Sequence, residues 1–226
     1  MTKDNRFIPL ALATLIAVFS AVVALSFSGG HGADAHAAMT DRHGTITTSE
    51  LTLRSNMRTL WVDHVTWTRL AVISLTSGLP DTKATVARLL RNQADIGNAV
   101  KPFYGGAAGN KLTALLREHI LIAADLIAAA KKGDQAAVKQ QQARWTANAD
   151  KLAAFLSSAN PRFWKLGEMK GMLYKHLGLT TAEVLDRLNH RWGADVRDAD
   201  QIRAQALEMA DMLSAGIVGQ FSSRFA

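Results

Sequence analysis

From residue 47 onward, apolar residues recur every three to four positions, the period of a helix with one buried face. No run alternates with the period of two that marks a half-buried strand, and no Val/Ile/Tyr cluster stands between turn residues. The punctuation is helical as well. Thr47 and Glu50 have capping-box spacing, ahead of a helix that Gly78-Leu79-Pro80 should end near Ser77. Asp81 is placed to cap a second helix running to about Phe103, with Tyr104-Gly105-Gly106 as its break. A third covers about Ala107 to Lys132, two lysines in its last turn and Gly133 as its stop. Asp134 caps a fourth, which reaches about Ser158 before Asn160-Pro161. A short helix ending at His176-Leu177-Gly178 follows, and Thr180 with Glu183 reads as a second capping box. That box opens a final helical region reaching about Phe221, bent or interrupted at Gly193. Six to seven helices on short turns predict an all-α, antiparallel helical bundle.

Ahead of the bundle the pattern changes. Lys3 and Arg6 precede a run from Phe7 to Ser28, 22 residues without a charge, and then a small-residue stretch through Ala33, Ala35 and Ala37. Residues 1–37 therefore read as a secretory signal, cleaved after Ala35 or Ala37, or as an uncleaved transmembrane anchor, since the run reaches the ~20 residues that span a bilayer. Either way residues 38–226, the helical bundle domain, are expected outside the cytoplasm: periplasmic or secreted after cleavage, or membrane-anchored with the positive flank inside. His31, His36 and His43 follow the run, and their tract reads as a polar linker, with collection of metal ions as the other reading.

Polar residues interrupt the apolar stripes, and they carry the candidate chemistry. His64 lies within Leu53, Met57, Leu60, Trp67, Ala71 and Leu75, and His119 within Leu112, Leu115, Ile122 and Leu126. Asn148 shares a face with Val138, Trp145, Leu152 and Phe155, and Gln93 with Val86, Leu89, Ile96 and Val100. Four helices thus point a polar group at one core, where an unpaired group costs about 1–3 kcal/mol. Besides a small-ligand pocket, two readings stay open. In one, His64 and His119 are ligands of a transition-metal ion, joined by His176 if the short helix folds over the bundle. Asp63 and Glu118, each preceding a histidine and about 100° away on its helix, then support the rings or pair with a neighbouring helix. In the other, the histidines, Asn148, Gln93 and Asp95 form a hydrogen-bonded core that only fixes register. His176 by itself, in the last turn before Gly178, is placed to meet a helix C-terminus. Asp186 and His190, with Glu183 and Arg187 on their face, look solvated. A faint duplication pairs His64–Thr68 with His176–Thr180, each followed some thirty residues on by an acid, Asp95 or Asp211.

Composition narrows the chemistry. The 226 residues include no cysteine, which removes disulfides, thiolate metal sites and a cysteine nucleophile together. The net charge of +7 is spread along the helices. In an exported protein it suits membrane headgroups or an anionic envelope polymer rather than nucleic acid. The Glu-x-x-His pairs of di-iron bundles, His-Glu-x-x-His and a nucleophile elbow are all missing, so hydrolase or transferase chemistry is not expected.

The strings Leu60-Trp61-Val62-Asp63-His64-Val65-Thr66-Trp67-Thr68-Arg69, Arg117-Glu118-His119-Ile120 and Met172-Leu173-Tyr174-Lys175-His176-Leu177 resemble a family of small exported bacterial helical proteins of unestablished activity. The resemblance extends through Asn92-Gln93-Ala94-Asp95-Ile96-Gly97 and Ala147-Asn148-Ala149-Asp150, and covers most of residues 55–221. It implies that His64, His119 and His176 sit in the family's recognisable strings. Relatives sometimes carry the label glycosyltransferase, but this chain has no βαβ pattern, phosphate loop or Asp-x-Asp motif. The sequence therefore favours an exported bundle that binds a ligand, a metal first, at a histidine-containing core. The competing expectation is an envelope protein that docks through its basic surface and whose polar core is structural.

Overall fold

The computed structural model describes residues 46–226, so the signal or anchor segment and its histidines (His31, His36, His43) lie outside the described residues. Every regular element described is helical: α1 (Thr48–Ser77), α2 (Thr82–Lys132), α3 (Gln135–Ala159), α4 (Leu166–Leu188) and α5 (Trp192–Gln220), followed by a 3₁₀ turn at Ser222–Arg224. No described helix is long and apolar enough to cross a membrane.

Most of the punctuation acts as its chemistry dictates. The Thr47 hydroxyl accepts from the Glu50 amide at 3.3 Å, and Gly78 ends α1 in the left-handed region (φ 67°). The Asp134 carboxylate accepts from the Ala137 amide, and Gly133 closes α2 at φ 71°. Asp81 stands at the N-cap of α2 but turns its carboxylate to the Ser74 hydroxyl, 2.7 Å away.

Five helical stretches account for the described residues, and the break expected at Tyr104-Gly105-Gly106 is present inside α2. At Gly105 (φ 84°, ψ 166°) one helical stretch folds back on itself where a boundary is expected. Its arms then lie side by side: the Arg117 guanidinium donates to the Leu90 carbonyl at 3.2 Å. A Cβ on Gly97 would sit 2.6 Å from the Gly109 carbonyl, so two glycines permit this approach. The helix count is corrected in α4, which runs straight through Gly178. Thr180 and Glu183 are therefore buried mid-helix residues and not a capping box. A glycine inside a helix costs only about 1 kcal/mol, and a well-buried face outweighs it. The break falls instead at His190, the one described non-glycine residue with positive φ (59°). Gly193 lies inside α5.

Neighbours in the chain run antiparallel, and α5 closes against α1. Arg58 meets Asp211 and Arg69 meets Asp195, so rising numbers on α1 face falling numbers on α5. The pairs Lys175–Glu208 and Arg187–Asp195 show the same for α4 and α5. The interior is layered along the bundle. Met57, Ile96, Leu112, Leu152, Met169, Met209 and Ile217 build an apolar layer, the histidines lie next, and Arg69, Glu183 and Asp195 lie beyond them.

Candidate functional site

The apolar stripes carry His64, His119 and His176 inward, and all three are buried: 3%, 4% and 4% exposed. His176 joins them because α4 is continuous; it is a core residue, not a terminal cap. The His176 ring stands between the others, with centroids 5.9 Å from His64 and 6.4 Å from His119.

Each ring is held through Nδ1 by a carboxamide 29 residues further on: His64 by Gln93, His119 by Asn148 and His176 by Gln205. The amide group then returns to the carbonyl four residues before the histidine. Asn148 donates to Leu115 at 3.1 Å and Gln205 to Met172 at 3.3 Å. In the first unit Asn92, beside Gln93, donates to Leu60 at 3.0 Å. The same tie occurs three times, between α1 and the first arm of α2, between the second arm and α3, and between α4 and α5. The duplication suspected from His64 and His176 is thus threefold. Its second members are amides, not the acids Asp95 and Asp211. Asp95 is half-buried and joins no hydrogen bond at His64, while Asp211 pairs with Arg58.

Tautomers follow from the partners. The Trp145 indole can only donate, and it donates to His119 Nε2 at 3.1 Å. The proton of His119 is therefore on Nδ1, which donates to Asn148 Oδ1 at 2.9 Å. His176 Nδ1 likewise donates to Gln205 Oε1 at 3.1 Å. His64 is held differently. Its Nδ1 shares the Gln93 amino group with the Leu89 carbonyl and the Asn92 side-chain oxygen, three acceptors for two hydrogens, while Gln93 Oε1 has no partner. All three imidazoles are kept neutral. Burial holds His64 well below its ordinary value, reinforced by His176 and His119. Burial and then His176 take His119 to about 3, and burial lowers His176.

The carboxylates remain outside this centre. Asp63 pairs with Arg88 at 3.3 Å, and Glu118 accepts from Lys151 at 3.5 Å. Glu118 still reaches His119 indirectly, because the Asn148 amino group bonds it at 3.2 Å. Among the described residues, no three of His, Asp and Glu are gathered into a ready metal site.

The sequence reading missed a second polar cluster. Asp186 and Glu183 are buried, not solvated, at 8% and 1% exposed. Arg69 donates to Glu183 at 2.6 Å and to Asp195 at 3.0 and 3.2 Å, and Arg187 donates to Asp195 at 3.0 Å. Burial pushes the Glu183 carboxyl up to about 7; Arg69 opposes this, while Asp195 and Asp198 add to it. Glu183 is seven residues, two helical turns, beyond His176. A continuous α4 would have revealed it on the same face.

Fold and site define an all-helical protein with three neutral imidazoles, each locked by an amide, inside its core. No protein-family model, no curated protein and no solved structure matches this chain.

Proposed function

We propose that this is an exported binding protein whose three-histidine core takes up a transition-metal ion. One observation carries the reading: three hairpins bring His64, His119 and His176 together by the same Nδ1-to-amide tie. A ring that donates from Nδ1 keeps its Nε2 lone pair for a metal, as His119 and His176 do. His64 instead accepts at Nδ1 and would have to turn or exchange its tautomer to ligate. Burial serves the same end, since only a neutral ring can bind an ion. Asn148 and Glu118 would orient His119, Gln205 would orient His176, and Asp63 would act only through its ion pair with Arg88. All-imidazole ligation suits zinc, copper or nickel rather than magnesium or calcium. The rings must draw together to reach metal–nitrogen bonds of about 2.0–2.1 Å, and Trp145 must release His119. Export rests on the uncharged run behind Lys3 and Arg6.

The Trp145–His119 bond favours a second reading, in which the polar core only fixes helix register and the +7 surface docks an anionic envelope component. Metal analysis of the full-length chain, purified without a polyhistidine tag, separates the two. The metal reading expects near-stoichiometric zinc, copper or nickel, lost from a folded His176→Gln protein. Trp145→Phe should bind more tightly, because nothing then competes for His119 Nε2. If wild type and Trp145→Phe both stay metal-free through titration with all three ions, the metal reading is wrong.

A further inference from the structure

A groove of about 290 Å3 opens between α1 and α5, on the outer side of the first and last helices. Val65, Ile73, Val196 and Ile202 give it apolar walls, and Glu183 reaches it from α4. The volume lies at the small end of ligand pockets, about 300–1,000 Å3, and a few placed polar groups among apolar walls is their usual make-up.

The polar groups are two cations and two acids: Arg69, Arg203, Glu183 and Asp200. Arg69 is fixed by Glu183 and Asp195, which engage Nη1 and one side of Nη2. A guanidinium has five N–H donors, so its Nε–H and the second Nη2–H have no acceptor among the described residues. Arg203 and Asp200 are both exposed, one turn apart on α5, and neither makes a hydrogen bond or ion pair with a described residue. Long charged side chains at a pocket rim, each left without a partner, are free to engage a ligand of opposite sign. Leu70 on one lip and Val196 on the other are 39% and 53% exposed, apolar surface that a ligand would cover.

From this balance we infer that the groove binds a small zwitterion with an apolar substituent, of the size of an aliphatic amino acid or its dipeptide. Glu183 is already held by Arg69, so the unmet groups are Arg203, Asp200 and the two remaining N–H donors of Arg69. A lone carboxylate would satisfy the arginines but face Asp200, and a lone amine would do the reverse. A molecule bearing both charges a few ångströms apart answers them all, its carboxylate toward the arginines and its ammonium toward Asp200. Its hydrocarbon part lies against Val65, Ile73 and Ile202. This site is separate from the histidine centre and does not depend on metal binding.

Calorimetric titration of the full-length chain with L-leucine and L-leucyl-L-leucine tests the assignment, with isovalerate and isoamylamine as singly charged controls. Saturable binding of at least one zwitterion, tighter than either control, is expected. Arg203→Gln and Asp200→Asn should each weaken it by about tenfold to a hundredfold, the worth of a hydrogen bond to a charged group. Both residues are exposed, so the variants should melt with wild type. No saturable heat from either zwitterion at millimolar concentration overturns the assignment. So does a control that binds equally tightly, or binding that both variants retain in full.

Discussion

Acid should unfold this protein through its own core, because three imidazoles are neutral when folded and free to titrate when unfolded. A folded-state histidine pKa below the ordinary 6.5 means that the unfolded chain holds the extra proton as pH falls. Stability is then complete above about pH 6.5 and declines below it, by about 1.4 kcal/mol per pH unit for each ring that stays neutral. His119, at about 3 when folded, remains neutral at pH 4.5 and by then has cost about 2.7 kcal/mol. His64 and His176, whose rings are also held below the ordinary value by burial, add to this loss. Glu183 works in the opposite sense. Its carboxyl is raised from 4.5 to about 7, so it adds stability at low pH that is lost as pH rises through that window. This returns close to 3 kcal/mol on the way down, about what His119 costs, so the net loss between pH 7.5 and 4.5 is what His64 and His176 add. Whole domains are stable by about 5–15 kcal/mol, so a loss of this kind should be measurable between pH 7.5 and 4.5. Urea unfolding of the full chain at pH 7.5, 6.0, 5.0 and 4.5, in chelator, measures the slope. His119→Gln should flatten it by about 1.4 kcal/mol per pH unit, and Glu183→Gln should steepen it. A stability that is flat from pH 7.5 to 4.5, or histidine ring protons that titrate near pH 6.5 in the folded protein, would refute the reasoning.

Two substitutions probe the packing. Arg69→Met leaves Glu183 with no described partner and Asp195 with Arg187 alone, and uncompensated buried charges of this kind cost about 3–5 kcal/mol. The loss should appear in thermal melting and be partly recovered by adding Glu183→Gln; a change under about 1 kcal/mol would mean that water already screens the cluster. Gly97→Ala should destabilise by about 1–3 kcal/mol despite alanine's better helix propensity. Its Cβ would meet the Gly109 carbonyl at 2.6 Å and the Thr113 hydroxyl at 1.9 Å, and backbone cannot swing aside as a hydroxyl can. A stabilised Gly97→Ala protein would show that the arms of α2 are not in contact.

Why some of this was legible and some was not comes down to the range over which each signal acts. Helix starts and the inward faces are local. Thr47, Gly78, Gly133 and Asp134 act within one turn of themselves, and the stripes that carry His64 and His119 inward repeat every three to four residues. Gly178 defeated the local reading, because a glycine in the middle of a helix and one at its end look alike when the packing of that helix is unknown. That single error moved His176 to a helix end, made Thr180 and Glu183 a cap, and put Asp186 in water.

The threefold tie was present in the sequence and still hard to see, for a reason the structure makes plain. What the three hairpins share is a spacing between two side chains, 29 residues from histidine to amide, with helices of unequal length and unlike neighbours around it. Conserving that spacing needs only one histidine, one Asn or Gln, and a turn that returns the chain antiparallel. The turn itself differs, a fold at Gly105 in none of the three ties and a short loop in each: Gly78 to Asp81, Gly133 to Asp134, and Asn189 to Arg191. The first tie is also the least regular. Asn92 takes over the return bond to the Leu60 carbonyl, and Gln93 is left with an unpartnered Oε1. If the tie served register alone, an unsatisfied amide oxygen in a fully buried position would be a pure cost of about 1–3 kcal/mol. On the metal reading, this loose oxygen lies beside the one ring that accepts at Nδ1, and that ring would have to turn or exchange its tautomer to offer Nε2 to an ion. If the proposed metal uptake holds, His64 is the histidine expected to move most.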